Sequence, residues 1–207
     1  MTGERSDRRR LLLRGGRGAL RLALAGAIVG AARGRWGGPP APRPREAAAT
    51  GILRPPGALA EPEFLAACLR CTSCADACET DCIRFFAPHE GRVAGTPYIL
   101  AAERACNLCL RCTQVCPSGA LAPLEDIAAV RMGTAVVDER LCVSHDGTGA
   151  CGACHTICPL KNRALTQGLR NKPTVHAEEC VGCGMCEEAC IVDDRRAIRV
   201  VTGRVWT

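Results

Sequence analysis

Four repeated blocks of cysteine dominate the chemistry that this sequence could perform. Sixteen of its 17 cysteines fall into these blocks, which occupy residues 68–78, 106–116, 142–158 and 180–190 of the 207-residue chain. Three blocks have the spacing C-x2-C-x2-C-x3-C, and the third block has C-x8-C-x2-C-x3-C. The repeat predicts sixteen thiolate ligands for inorganic clusters, namely Cys68, Cys71, Cys74, Cys78, Cys106, Cys109, Cys112, Cys116, Cys142, Cys151, Cys154, Cys158, Cys180, Cys183, Cys186 and Cys190.

The spacing within a block is typical of a 4Fe–4S cluster. Three thiolates two residues apart can wrap a tight loop around one face of an iron–sulfide cube. In two-cluster ferredoxins the fourth cysteine, three residues further on, ligates the other cluster. Four such blocks therefore predict four 4Fe–4S clusters. The sequence contains no evident nucleophile, general-base pair or dinucleotide-binding motif, so we expect electron transfer and no enzymatic catalysis.

Other uses of cysteine fit the sequence less well. Structural zinc sites use two separated C-x2-C pairs and do not require a third close cysteine. Disulfides suit an exported protein, but cysteines two residues apart pair poorly with each other, and 17 is an odd number. A redox C-x-x-C motif needs only one pair. The seventeenth cysteine, Cys82, lies outside the blocks; we interpret it as a buried free thiol, with a substitute ligand or a redox sensor as alternatives.

The pairing of the blocks is left open by the sequence. Proline follows the last cysteine of the two inner blocks, at Pro117 and Pro159, whereas Glu79 and Ile191 take that place in the outer blocks. This difference weakly favours nested pairing, and sequential pairing of neighbouring blocks is the alternative. Nested pairing would group Cys68, Cys71, Cys74 with Cys190; Cys180, Cys183, Cys186 with Cys78; Cys106, Cys109, Cys112 with Cys158; and Cys142, Cys151, Cys154 with Cys116.

The N-terminal segment has the layout of an export signal. Residues 1–33 begin with basic residues and continue into an apolar run of eleven residues, Leu22–Ala32,. The run is short of the roughly 20 residues that a membrane-spanning helix needs. The stretch Arg9–Arg14 resembles a twin-arginine signal, which predicts a periplasmic location, with membrane association through a partner or an uncleaved signal. A disordered basic arm or an interfacial helix is the alternative.

The chain divides into three predicted regions with different charge. The signal segment, residues 1–33, is followed by a Pro/Gly/Arg-rich linker over residues 34–57 and a polyferredoxin body over residues 58–207,. Residues 1–54 carry a net charge of +9, so residues 55–207 carry −3. A body without a basic stripe is not expected to bind nucleic acid. Four clusters, each adding about −2, would bring the loaded body to about −11, which predicts docking on a basic partner surface.

Short strands and helices separate the blocks. Strands are predicted at Ile83–Phe86, Ala135–Val137, Thr174–His176 and Ile198–Val201, and helices at Glu63–Leu69 and Leu121–Met132,. Only six aromatic residues are available for a core, so we expect the clusters to fill the interior and no stable fold without iron. The predicted fold class is α+β, with two paired, pseudo-two-fold ferredoxin-like modules and little regular secondary structure.

Several segments outside the cysteines resemble the NapG/MauM family of exported ferredoxin-type proteins. They are Leu53–Ala58, Gly95–Tyr98, Cys116–Leu121, Arg131–Val136 and Pro173–His176, together with the eight-residue gap in the third block. The resemblance extends from Leu53 to Val201. It departs from the family pattern in the missing proline after Cys78 and in an early C-terminus.

The resemblance implies a role in electron transport. It implies a periplasmic polyferredoxin that receives electrons from a membrane-bound, quinol-oxidising iron–sulfur partner. The electrons would pass toward a periplasmic reductase or cytochrome acceptor, commonly nitrate reductase, or serve methylamine metabolism. The alternative is the iron–sulfur subunit of a molybdopterin oxidoreductase complex, which would co-purify with a large catalytic chain.

Overall fold

A computed structural model describes residues 51–193 and 195–204. The predicted export signal and most of the predicted linker lie outside the described residues. Within the described part of the chain, no helix combines the length and apolar character needed to cross a bilayer.

The first half of the described chain, residues 51–122, is built around one hairpin. Its helices and strands are α1 Glu61–Ala67, α2 Ser73–Asp76, β1 Ile83–Phe85, β2 Pro97–Ile99 and α3 Arg111–Gln114. Strands β1 and β2 pair antiparallel, with Ile83 opposite Ile99. Outside the hairpin, Ala58 forms an antiparallel bridge with Leu121. The outer bridge and the inner hairpin therefore enclose the first two cysteine blocks between them.

The second half, residues 134–201, repeats this arrangement. Its elements are β3 Thr134–Val137, α4 Val143–Asp146, α5 Ala153–Ile157, β4 Leu165–Gln167, β5 Pro173–Val175, α6 Met185–Glu188 and β6 Ile198–Val201. Strands β4 and β5 form the inner hairpin, with Leu165 opposite Val175. Strands β3 and β6 form the outer antiparallel pair, with Thr134 opposite Val201. Cysteine blocks again lie between the outer and inner pairs.

One apolar core joins the two halves. Phe64 and Val130 are fully buried in it, and Val181 and Val200 of the second half belong to the same cluster. Several block cysteines are part of this core, so the thiols and the aliphatic side chains share one interior. The four predicted strands are present, each within one residue of the predicted ends. Strands β2 and β4, which are three residues long, were not predicted.

The predicted helix over residues 121–132 is wrong. This segment contains a single 3₁₀ turn, Ile127–Ala129. The backbone around it bonds to other segments: Ala122 N–H donates to the Gly57 carbonyl at 2.7 Å, and Met132 N–H donates to the Val181 carbonyl at 3.1 Å. Pro123 has no N–H with which to continue a helix. Tertiary hydrogen bonds therefore replace the helical ladder.

The predicted linker ends too late at residue 57. Ile52 and Arg54 are buried, and Ile52 N–H donates to the Arg204 carbonyl at 2.9 Å. Residues 51–57 thus pack against the C-terminal end of the described chain. The segment is ordered because it contributes apolar and hydrogen-bonded contacts that its proline-rich composition does not indicate.

Candidate metal centres

The sixteen block cysteines form four groups of four, which we call sites 1 to 4. Each site combines the first three cysteines of one block with the last cysteine of its neighbour. Site 1 has Cys68, Cys71, Cys74 and Cys116; site 2 has Cys78, Cys106, Cys109 and Cys112; site 3 has Cys158, Cys180, Cys183 and Cys186; site 4 has Cys142, Cys151, Cys154 and Cys190.

This grouping contradicts the nested pairing that the proline pattern favoured. The first block pairs with the second and the third with the fourth, so the sequential alternative holds. The β1–β2 and β4–β5 hairpins are the physical reason, because each folds one block back onto the next. Accordingly α2 packs against α3, and α5 packs against α6. The residue that follows the last cysteine of a block therefore did not predict which blocks pair.

The cysteine loops share a backbone conformation that turns their thiols inward. In blocks one, two and four, the residue before the second cysteine and the residue after it both have positive φ. These residues are Arg70 (58°), Thr72 (67°), Leu108 (62°), Leu110 (59°), Gly182 (73°) and Gly184 (85°). Left-handed backbone is unfavourable for side chains other than glycine. The sequence signals this conformation only in the fourth block, where both residues are glycine.

Each site has a backbone N–H directed at one of its sulfur atoms. Leu121 donates to Cys116 at site 1, Leu108 to Cys106 at site 2, and Ala135 to Cys180 at site 3, all with an N–S distance of 3.4 Å. At site 4, Ala153 donates to Cys151 at 3.5 Å. Hydrogen bonds to ligand sulfurs stabilise the thiolate and raise the reduction potential of a cluster.

Burial makes several of the block thiols weaker acids than a free cysteine. It is the largest cause that raises the pKa of Cys74, Cys154 and Cys183 to about 11. Burial and then the neighbouring thiol of Cys109 raise the pKa of Cys112 to about 12. At Cys116, burial is outweighed by donors that include Leu121 N–H and the Ser118 hydroxyl, so its pKa is lowered. To ligate iron as thiolates, the buried thiols with raised pKa would have to release a proton.

Cys82 is a fifth thiol beside site 2. Its side chain is buried, and its Sγ lies 3.6 Å from the Sγ of Cys78. A hydrogen bond with Cys106, followed by burial, raises the pKa of the Cys82 thiol. All 17 cysteines are free thiols in the structure. The interpretation of Cys82 as a buried free thiol agrees with this position, but its closeness to site 2 was not foreseen.

The donor sets fit iron–sulfur clusters. Four thiols surround an apolar hollow, which at site 1 is also lined by Phe64 and Phe85, and at site 3 by Leu160 and Leu165. Among the described residues, no three His, Cys, Asp or Glu side chains are close enough together to hold one metal ion. Four cysteine thiolates are the ligands that a 4Fe–4S cluster takes.

Comparisons with known proteins agree with these donor sets. The family pattern of the 4Fe-4S dicluster domain matches residues 67–120, which contain the first two blocks. The chain is 38% identical to a ferredoxin-type protein NapG of Escherichia coli over 95% of this chain and 86% of the relative. It is 37% identical to a methylamine utilization ferredoxin-type protein MauM of Methylobacillus flagellatus, over 87% of this chain and 77% of the relative. For a MauM protein of Methylorubrum extorquens the identity is 41%, over 72% of each chain. No solved structure matches the chain significantly.

Proposed function

This chain belongs to the NapG/MauM family of ferredoxin-type electron-transfer proteins, and on that premise we propose that it is a periplasmic polyferredoxin with four 4Fe–4S clusters at sites 1 to 4. It would carry single electrons from a membrane-bound, quinol-oxidising iron–sulfur partner toward a periplasmic reductase or cytochrome. The acceptor would be a reductase such as nitrate reductase, or a component of methylamine metabolism. The protein itself would catalyse no bond chemistry.

The observation that carries the proposal is the grouping of the thiols. Sixteen cysteines from four distant blocks gather in four sets of four, and each set crosses from one block to its neighbour. This exchange of the fourth ligand is the arrangement of two-cluster ferredoxins. We infer that each half of the described chain is one ferredoxin-like module. Each module consists of two blocks, an inner hairpin and an outer pairing, which is a single bridge in the first half and a strand pair in the second.

The residues around each site prepare it for electron transfer. When bound, the clusters would accept and donate one electron at a time. At each site the chain would supply four thiolates and one backbone N–H to a ligand sulfur, and apolar side chains line the hollows at sites 1, 3 and 4. Leu121 serves site 1 twice, since its N–H donates to Cys116 and the residue lines the hollow.

The first experiment is the iron and acid-labile sulfide content of the full chain purified without oxygen. We expect about 16 iron and about 16 sulfide atoms per chain. About 12 of each would mean that one of the four sites does not hold a cluster. Zinc without sulfide would contradict the electron-transfer proposal. A stoichiometric large catalytic chain in the preparation would favour the alternative, a subunit of a molybdopterin oxidoreductase.

The proposed location rests on the N-terminal sequence and needs its own test. Lysine replacements at Arg9 and Arg10 should hold the protein in the cytoplasm, because the twin-arginine receptor reads that pair. Arg5→Lys is the matched control and should leave export unchanged. The measurement is the fraction of protein in periplasmic extracts. Equal export of both variants would contradict the twin-arginine route.

A further inference from the structure

The two halves meet through the backbones of two cysteines. The N–H of Cys106, a site 2 residue, donates to the carbonyl of Cys183, a site 3 residue, at 3.1 Å. The segment that connects the two halves also bonds to the loop of the fourth block, since Met132 N–H donates to the Val181 carbonyl at 3.1 Å. The loops that carry site 2 and site 3 are therefore in direct hydrogen-bonded contact.

A glycine allows this close approach. A Cβ on Gly184, the residue after Cys183, would lie 2.4 Å from the Cβ of Ala101 in the first half. A larger side chain at residue 184 does not fit unless the two halves move apart.

Two side-chain hydrogen bonds also join the halves beside the Cys106–Cys183 contact. The Glu188 carboxylate accepts a hydrogen bond from Ala105 N–H at 2.8 Å, and Arg196 donates to the Ala102 carbonyl at 3.4 Å. A second contact between the halves, in which Ile52 bonds to Arg204, contains no cysteine. The contact that joins cysteine residues of different halves thus lies between sites 2 and 3.

Within each half, the order of the sites follows from the chain itself. Cys74 of site 1 and Cys78 of site 2 are four residues apart, at the start and just after the end of α2. Cys154 of site 4 and Cys158 of site 3 have the same relationship around α5. At the outer end of site 1, Cys71 is exposed to solvent. Beside Cys190 of site 4, Ile191 is 59% exposed.

We infer that the four sites form one row in the order 1, 2, 3, 4, and that electrons cross between the halves at the Cys106–Cys183 contact. This inference rests on the proposed function, since it requires a cluster at each site. With clusters held by these four cysteine sets, one electron at a time would pass from a reduced site to its oxidised neighbour, with no bond made or broken. The proposed quinol-oxidising partner would supply the electron at one end of the row, and the reductase would remove it at the other.

The test uses magnetic interaction between reduced clusters, measured by electron paramagnetic resonance on the full chain. Alanine replaces the second cysteine of each block in turn, and at site 2 it also replaces the neighbouring thiol of Cys82. The variants are Cys71→Ala, Cys82→Ala/Cys109→Ala, Cys183→Ala and Cys151→Ala. Emptying an inner site should isolate the outer cluster behind it. We therefore expect one non-interacting spin per chain in Cys82→Ala/Cys109→Ala and Cys183→Ala, and none in Cys71→Ala and Cys151→Ala.

The opposite distribution, or the same spectrum from all four variants, would overturn the inferred order. The iron content of the wild type separates the proposed function from the inferred order of the sites. If the wild type holds about 16 iron atoms but the variants give the wrong spin pattern, only the inferred order is refuted. Should an emptied site unfold the chain, Glu188→Ala keeps all four cysteine sets, removes the hydrogen bond to Ala105 N–H and should weaken the interaction between halves. Glu178→Ala is its control, because Glu178 is an exposed glutamate of the same half. Equal interaction in these two variants would also overturn the inference.

Discussion

Arg54 and Glu61 form a two-pronged ion pair at the junction of the N-terminal segment and α1. The Arg54 Nη2 lies 2.5 Å from Glu61 Oε1, and its Nε lies 3.2 Å from Oε2. The guanidinium is only 1% exposed and stacks 4.6 Å from the centre of the Phe64 ring. Arg204, near the C-terminal end of the described chain, binds the same carboxylate at 3.2 Å. One glutamate therefore ties both ends of the described chain to the first helix.

Replacing this glutamate should destabilise the protein selectively. Glu61→Gln leaves the buried Arg54 charge without its counterion, which we expect to cost about 2 kcal/mol. Glu63→Gln is the matched control, since Glu63 is an exposed residue of the same helix, and its effect should stay within about 0.5 kcal/mol. The measurement is the thermal midpoint of the anaerobic, iron-loaded protein at one heating rate. Equal midpoints for the two variants would show that the ion pair contributes nothing.

The contribution of Glu61 should depend on pH in a defined direction. Burial alone would raise the pKa of Glu61, but Arg54 and Arg204 outweigh it and hold the pKa below its ordinary value of 4.5. A carboxylate whose pKa is lower in the folded than in the unfolded state stabilises the protein fully when the pH is above the unfolded-state pKa. The stabilisation is lost as the pH falls through the folded-state pKa. The difference between wild type and Glu61→Gln should thus be constant near neutral pH and shrink below about pH 4.5. A difference that grows on acidification would contradict this assignment.

Cys82 should act as a reserve ligand for site 2. Its Sγ lies 3.6 Å from that of Cys78, so Cys78→Ala still leaves four thiols at the site. We expect Cys78→Ala to keep about 16 iron atoms per chain and the double variant Cys78→Ala/Cys82→Ala to keep about 12. Cys116→Ala is the control, because Cys116 is the corresponding predicted ligand of site 1. Site 1 has no spare thiol beside it, since every cysteine except Cys82 already belongs to a set of four, so this variant should lose iron. Retention of all iron by Cys116→Ala, or its loss from Cys78→Ala, would refute the reserve role.

The pairing of the cysteine blocks could not be predicted from the sequence. The candidate ligands follow from local spacing, which a single loop can express, and the structure brings all sixteen of them into sets of four. That each one binds iron stays a prediction. The partner of each block depends on hairpins of three residues per strand, such as β1 opposite β2. The prolines at Pro117 and Pro159 carry no information about those hairpins, so the nested pairing that they suggested is wrong.

Other features depend on tertiary contacts that no local pattern encodes. Leu108 and Leu110, which flank Cys109, have positive φ in the loop that carries Cys106, Cys109 and Cys112. Nothing in an apolar side chain indicates that conformation. Arg54 lies in a proline-rich stretch that resembles a linker, yet Thr96 and Glu61 surround its guanidinium. Its burial could be found only once the partners, such as Thr96 and Pro97, which are 42 and 43 residues away, were in place.

Removing iron should unfold the cysteine loops. Arg70, Thr72, Leu108 and Leu110 hold left-handed backbone, which costs about 1 kcal/mol for each residue. Binding of the proposed clusters would offset this cost and fill the hollows. We expect treatment with a chelator and an oxidant to abolish hydrogen-exchange protection in β1 and β2. Protein treated with iron-saturated chelator is the control, and protection that survives iron loss would contradict the expectation.

Electron transfer to the partner should slow as salt concentration rises. Residues 55–207 carry a net charge of −3, and four clusters would bring it to about −11. A body with this charge is drawn to a basic partner surface, and salt screens that attraction over a Debye length of about 10 Å at 0.1 M. The experiment compares the reduction rate by quinol-oxidising membranes with the rate by a small neutral mediator, each from about 0.05 to about 0.5 M salt. We expect the membrane rate to fall at least several-fold while the mediator rate stays constant, because only the first depends on docking. If the reduction rate by membranes does not change with salt concentration, charge does not guide docking on the partner. Exposed apolar residues beside the outer sites, such as Ile191, would then be the next candidates for the docking surface.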